Sequence, residues 1–383
     1  MKILMLAPEP FFQSRGTPLS EYFRIKALTD LGHSVDLVTY HLGQNVEIKN
    51  LRIFRIPRIP FIKEIKVGPS WIKIPLDFLL FIKATVRLFK EKHDLIHSHE
   101  EAALFGLILS KIWRLPHLYD MHSSLPQQLE NFQFTKSKIF KKIFQWIETF
   151  ILKYSQSVIV ICQDLLETAR EIIPSTKLIL IENFLTEEGE KITSKEVEQK
   201  KKELKINNKK IVLYTGTFEA YQGLPLLLRA IKNLSNEITL VLVGGKKHQI
   251  EELKKLVQQL NISRKVIFTG QRPSSEIPLY ISLADVLVSP RISGTNTPLK
   301  IYTYLKSGKP IVATKLRTHQ QVLNPQNAIL VEPEPEDLAK GIHFALYNSQ
   351  SLKIAQKAKT IADREYTYSK YLEKVKKSLE LIS

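Results

Sequence analysis

Residues Ser293 to Thr314, SGTNTPLKIYTYLKSGKPIVAT, carry the densest structural information in the chain. Gly294 permits a tight backbone that another group can approach closely. Thr297 is a natural N-cap, and Pro298 suits the first helical position. The spacing predicts a helix from there to Ser307, ended by Gly308. Lys309 and Pro310 then turn the chain into a strand, Ile311-Val312-Ala313. The first N–H groups of a helix lack partners within it, and its dipole favours negative charge at that end. Loop, cap and proline therefore predict a phosphate-type anion site. Lys300, Thr303 and Ser307 fall on one polar stripe at helical spacing, and Lys300 in the first turn opposes the dipole unless an anion is present.

The same loop–helix–strand rhythm extends in both directions. Short apolar runs, bounded by polar or turn residues, predict strands near Lys2–Ala7, Ser34–Thr39, Leu95–His97, Leu118–Asp120, Val158–Ile161 and Leu178–Ile181. A helix is expected from about Ser20 to Leu31. After the charged stretch Glu187–Lys210, which reads as a hinge with one exposed helix, the pattern restarts. Strands follow at Ile211–Thr215, Thr239–Val243, Val266–Thr269, Val286–Ser289, Ile311–Ala313 and Ile329–Val331. Strands alternating with helices argue for an α/β protein with parallel sheets covered on both faces. A length of 383 residues fits two such domains. Two Rossmann-like halves facing a central cleft would bind ligands at the strand C-termini.

Several stretches, in this order and spacing, resemble the family 4 glycosyltransferases: MKILMLAP followed by SRGTPLSEYFRIKALTDLGHSVDLVTY, then HDLIHSHEEAALFGLILSKIWRLPHLYDMHSSLP and SVIVICQDLLETA. The second half adds IVLYTGTFEAYQGLPLLLRAI, ITLVLVGG, VIFTGQRPSSEIPLYISLADVLVSPR and the opening segment. The resemblance spans nearly the whole chain. It implies a GT-B fold, retaining transfer from a nucleotide-diphosphate sugar, and no cofactor. It also implies an acceptor-binding domain over 1–185, joined by a returning C-terminal helix at 363–383, and a donor domain over 186–362.

Gly216-Thr217 and Gln222-Gly223 flank a loop able to turn N–H groups and hydroxyls toward a diphosphate. Family members commonly place an arginine and a lysine where this chain has Thr217 and Gln222, so Arg291 and Lys300 are the candidate replacements. The family's two glutamates, eight positions apart, correspond to Thr295 and Thr303. A threonine hydroxyl can bond a ribose but carries no charge. Asn296 and Thr297 complete the donor loop, and Arg272 is placed to border the base.

In the first half, the Gly16-Thr17-Pro18 loop precedes the first long helix and can approach the cleft closely, so Gly16 is expected to meet the donor, while Arg15, His99 and Glu100 are expected to meet the acceptor. His122, after the strand in YDMHSS, matches the family histidine at the sugar site. Retaining transfer through an ion-pair-like route asks for stabilised charge on the leaving diphosphate rather than a protein nucleophile. No metal is expected, because the HxHE run His97–Glu100 alone lacks a third ligand distant in sequence, and the resemblance implies transfer that needs no metal.

The formal net charge is +18, and residues 51–142 hold 16 Lys or Arg against 8 Asp or Glu. There, charge is interleaved with large apolar residues, as in IFRIPRIPFIKEIKVGPSWIKIP and FTKSKIFKKIFQW. That pattern suits an anionic membrane surface. Nucleic acid is excluded as the partner for want of a stacking platform or recognition motif. The single cysteine, Cys162, follows an apolar run and reads as a buried thiol in a reducing compartment. The first residues do not read as a signal peptide, and no apolar stretch reaches spanning length. The expected location is cytoplasmic, peripheral at the inner membrane face. The expected role is building a cell-surface glycan or glycolipid on a glycan or lipid-linked acceptor. A nucleotide-sugar epimerase and a non-catalytic nucleotide-sugar-binding subunit are the alternatives.

Overall fold

The computed structural model describes residues 1–13, 16–65, 70–131, 137–182, 192–206 and 208–382. The chain divides into two compact units, Met1–Asn183 with Ser369–Ser383, and Phe184–Tyr368.

The first unit is built on seven parallel strands: β1 (Lys2–Ala7), β2 (Ser34–Thr39), β3 (Leu51–Arg55), β4 (Leu95–His99), β5 (His117–Met121), β6 (Ser157–Val160) and β7 (Leu178–Leu180). Their order is β3-β2-β1-β4-β5-β6-β7. The second unit has six: β8 (Lys210–Thr215), β9 (Ile238–Val243), β10 (Val266–Gly270), β11 (Val286–Ser289), β12 (Ile311–Thr314) and β13 (Ile329–Val331), ordered β10-β9-β8-β11-β12-β13. Both sheets are doubly wound. The strand order reverses between β1 and β4 in one and between β8 and β11 in the other, and such switch points are where ligands bind in these folds.

Burial on both faces explains why the strands read as continuous apolar runs. Along β8, Val212 and Tyr214 enter one core cluster and Ile211 and Leu213 enter the other. The strand missed by sequence reading is β3, paired in parallel to β2. Its alternation of arginine with Ile53 and Phe54 resembles a charged surface stretch. The arginines have internal partners instead: Arg52 bonds both carboxylate oxygens of Asp36 at 2.7 Å, and Arg55 bonds the Leu42 carbonyl at 2.7 Å.

The opening segment folds as a short helix, Lys300–Lys306, followed by β12. It starts later than the expected Pro298. The cap position is Leu299, and the first turn closes by Ile301 N–H to Pro298 O (2.9 Å) and Tyr302 N–H to Leu299 O (3.2 Å). The Thr297 side chain does not cap it. The end agrees with expectation: Gly308 takes φ 69° just past the Ser307 cap, where a side chain would be strained.

The helix Gln350–Glu365 stays with the second unit, where Tyr366 packs edge-on against Tyr302 at 4.9 Å. The return to the first unit begins at Ser369, where the returning helix is expected to start, inside the 363–383 stretch. In the last helix, Tyr368–Glu380, Tyr371 is buried against the Arg24 guanidinium (5.2 Å) and Lys374 reaches Glu182 (3.4 Å).

Candidate functional site

At the C-terminal edge of the second sheet, three strands end in glycines at positive φ: Gly216 after β8 (138°), Gly244 after β9 (125°) and Gly270 closing β10 (73°). A Cβ on Gly244 would lie 1.9 Å from the Gly216 carbonyl, and one on Gly223 would lie 1.9 Å from the Pro290 carbonyl. No side chain fits at either place, so the loop Gly216–Gly223 lies tight against the ends of β9 and β11. Ile292 N–H to Tyr221 O (3.0 Å) fastens it.

Two cations converge at this switch point. Arg291 follows β11 and is 8% exposed. Its Nη1 donates to the Asn296 carbonyl (2.5 Å) and to Thr318 Oγ1 (2.9 Å), its guanidinium faces the Tyr221 ring at 5.1 Å, and its Nε has no partner. The Lys300 ammonium sits 3.7 Å from the Tyr214 ring centroid and donates to Gln222 Oε1 at 3.3 Å. It also lies 3.2 Å from where a Gly216 Cβ would stand, so the glycine makes room for it. Burial lowers the pKa of both, and for Lys300 the neighbouring Arg291 lowers it further, well below the ordinary lysine value. Among the described residues neither cation has a carboxylate partner.

The remaining donor-loop residues divide. Asn296 and Thr295 turn their carbonyls inward, to Arg291 and to Gln321 Nε2 (2.7 Å). Thr297 is buried with an unpartnered hydroxyl. Thr217 is exposed, and its carbonyl accepts from Tyr214 Oη at 2.6 Å. Thr303 and Arg272 are exposed. Sequence reading missed the residues beneath: Tyr304 Oη bonds Thr215 N–H (2.9 Å), and His319, fully buried, bonds Ser289 Oγ and the Thr314 carbonyl, each at 2.8 Å. Desolvation lowers the His319 pKa to about 4. Buried tyrosines and histidines carry no local sequence signal that separates support from core.

The first unit presents a different centre at the ends of β4 and β5. His99 and His122 are brought together, His99 Nδ1 to His122 Nε2 at 3.0 Å, and Asp120 lies 3.3 Å from His122 Nε2. Arg24, from the helix Gly16–Asp30, grips Asp120 at 2.7 and 3.4 Å. All four are buried. Burial lowers the His122 pKa to about 4, so its imidazole is neutral at pH 7. Its chemistry is therefore hydrogen bonding rather than proton donation as an imidazolium. Glu100 sits at φ 47°, accepts from Ser123 Oγ (2.6 Å), and is pushed up to about 8 by burial and by Glu101. Glu21, also unforeseen, is raised well above an ordinary carboxyl by burial and by Glu9. Gly16 opens its helix with open space around it, and Arg15 lies outside the described residues.

Of the two grounds for expecting no metal, the lack of a distant third ligand does not hold, because Asp120 supplies one. The ligand atoms of His97, His99 and Asp120 lie within 4.8 Å of one another. Arg24 already neutralises that carboxylate and sets a positive charge against a cation there.

Comparisons with known proteins agree with this architecture. The family model "Glycosyltransferase Family 4" matches residues 24–188, and "Glycosyl transferases group 1" matches 195–362. The chain belongs to the family 4 glycosyltransferases, of GT-B fold. It is 24% identical over 275 residues to a D-inositol 3-phosphate glycosyltransferase of Corynebacterium jeikeium, covering 65% of this chain and 63% of that one, less than two thirds of the relative's length. It is 24% identical over 327 residues to the alpha-monoglucosyldiacylglycerol synthase of Streptococcus pneumoniae, covering 82% and 71%. Among solved structures, Anabaena HepE in complex with UDP superposes with a TM-score of 0.78 at 18% identity, covering 99% of this chain and all of that one.

Proposed function

We propose that the protein is a retaining glycosyltransferase that moves a sugar from a nucleotide-diphosphate sugar, with UDP as the favoured nucleotide, to a glycan or lipid-linked acceptor. The observation that carries this is the pair Arg291, buried, and Lys300, half-buried, set together at a switch point and, among the described residues, without a carboxylate partner. Two like charges drawn together and partly out of water are costly alone, and a diphosphate relieves both. The unpartnered Arg291 Nε and Thr297 hydroxyl add two polar atoms for the same ligand. HepE was solved with UDP, and the pneumococcal relative is named for a glycolipid product, which supports UDP and a lipid-linked acceptor here.

In the transfer, the anomeric carbon–oxygen bond breaks and its electron pair stays on the leaving diphosphate, whose negative charge Arg291 and Lys300 stabilise. The acceptor oxygen bonds the anomeric carbon on the face the diphosphate leaves, and the diphosphate takes the acceptor proton. His122, neutral and held by Asp120 and His99, is the candidate hydrogen-bond partner of the sugar. Thr295 and Thr303 leave the ribose end without the family's carboxylates. The setting proposed is a peripheral one at the inner face of a membrane. Among the described residues no helix is long and apolar enough to cross a membrane.

Labelled UDP-sugars incubated with glycan and lipid acceptors test this. Labelled product with the donor's anomeric configuration is expected. Isomerised donor would make the protein an epimerase, and binding with unchanged donor a non-catalytic subunit.

A further inference from the structure

Three neighbouring helices of the first unit leave a large apolar face uncovered. The helix Ala102–Trp113 packs against Lys73–Lys90 on one side and Lys138–Tyr154 on the other. Phe81 meets Phe105 at 5.3 Å, Phe89 meets Trp113 at 5.1 Å, and the Lys111 ammonium lies 5.4 Å from the Tyr154 ring, so the three form one continuous surface. The helix Lys73–Lys90 is apolar twice over. Leu76, Leu80, Ala84 and Leu88 face the core, while Ile74, Phe78, Ile82 and Phe89 stand 59, 57, 43 and 77% exposed. At 100° per residue those exposed four span an arc of roughly 80°. Ile112 (62%) continues the face on the middle helix and Trp146 (65%) on the third. Soluble proteins seldom leave so many large apolar groups together in water without something to cover them.

The charges around this face decide the occupant. Of the acids on the three helices, Asp77 and Glu148 are both buried, Asp77 against Tyr40 and Glu148 against Ser124 and the Leu125 N–H. The charged side chains left at the surface among the described residues of these helices are all lysines, Lys83, Lys90, Lys111, Lys141, Lys142 and Lys153. The basic groups that do have acid partners are turned elsewhere: Lys73 to Glu101, and Arg87 to Asp36 and Glu91. Val86, 40% exposed, carries the apolar arc of its helix on to roughly 120° from Ile74, Lys83 and Lys90 follow at roughly 160–180°, and Lys142 and Lys153 lie just beside the Trp146 arc. Apolar groups in the middle with lysines at the rim, whose stems can lie along apolar surface, match an acyl layer beneath anionic headgroups.

We infer that this three-helix face is a docking surface for an anionic lipid bilayer. Its aromatic and aliphatic centre enters the headgroup boundary, and its lysine rim meets the lipid charge. This gives the acceptor-bearing membrane of the proposed function a defined contact on the protein, yet it stands on the face itself and is tested without any transfer reaction.

The test is co-sedimentation of the full chain with vesicles of phosphatidylcholine alone or with anionic phosphatidylglycerol. Binding is expected only with the anionic lipid, weakening as salt rises. Reversal of Lys90→Glu with Lys142→Glu, two surface positions, should lower the partition coefficient by about 25-fold or more, at about fivefold per lysine. Phe89→Ser with Trp146→Ser should abolish the salt-resistant remainder. Lys353→Glu with Lys357→Glu, an equal charge change on the exposed side of a second-unit helix, should leave binding nearly unchanged. Circular dichroism of each variant confirms that it is folded. The proposal is overturned by an unbound protein at low salt, by equal losses in both lysine pairs, or by light scattering that shows a dimer which Phe89→Ser disperses while vesicles bind nothing. UDP affinity measured without vesicles reports separately on the donor site, so the two readings fail independently.

Discussion

The two units place charged clusters at equivalent ends of their sheets and settle them in opposite ways. At the ends of β4 and β5, Asp120 is enclosed by Arg24, His97 and His122, and each charge has a partner. At the ends of β8 and β11, Arg291 is buried and Lys300 half-buried, and among the described residues their partners are neutral: a carbonyl, a hydroxyl, an amide oxygen and two aromatic faces. A closed cluster positions its members, as Asp120 positions His122. An open pair of cations stores unfavourable electrostatics that a bound anion removes. The difference separates a framework from a ligand site without reference to any relative.

The sharpest test of the contrast is removal of one partner from the closed cluster. Arg24→Met leaves the Asp120 carboxylate buried and unmatched, and should lower unfolding free energy in urea by about 3–5 kcal/mol. A loss under 1 kcal/mol would show that the cluster is not closed. The same kind of change in the open pair should act on binding instead. Lys300→Met removes a repulsion, so the unliganded protein should keep or gain stability, while calorimetry should show UDP affinity falling about 10- to 100-fold. Unchanged affinity would take Lys300 out of the site.

Acid should discriminate further. His319 has its folded pKa depressed to about 4 against an unfolded value near 6.5, so between those pH values the unfolded chain binds more protons. Stability is thus lost as pH falls through that window, by up to roughly 3 kcal/mol from this residue. Glu148 has the opposite sign. Raised to about 7 by burial, it favours the folded state below its unfolded pKa, and that contribution fades as pH rises through 7. Urea titrations at pH 4.5 and 6.5 should show His319→Gln with a shallower acid loss than the parent. Equal slopes would mean that the imidazole is protonated in the fold.

The smallest effect is expected at Thr303. It is exposed, so Thr303→Glu should change stability by about 0.5 kcal/mol or less. If the ribose lies where the family places it, the new carboxylate should preserve or improve UDP affinity. Complete loss in a folded variant would mean that this loop holds the nucleotide differently.

Much of this was legible from the residues. β1, β2, β11 and β13 match their expected bounds, and the other strands in the apolar pattern fall within a residue or two, because a strand buried on both faces writes itself as a short apolar run. Gly308 at a helix end and Lys300 at a helix start were readable from turn and cap chemistry. β3 was not, because whether an arginine faces water or Asp36 depends on a strand sixteen residues away. Thr297 was assigned a capping role by its type, yet the turn through Pro298 and Leu299 shifted the helix start.

The sequence by itself determined the two parallel sheets, the family, the net basic charge and most of the candidate donor residues, since these rest on local periodicity, turn chemistry and ordered motifs. Only the tertiary structure decided which charges are spent and which remain. It gave Arg24 to Asp120, left Arg291 and Lys300 without acids, buried Asp77 and Glu148, and so made an apolar face rimmed by lysines. The reason is physical: the energy of a charge depends on what lies within a few ångströms of it in space, and neighbours in space are set by packing rather than by position along the chain.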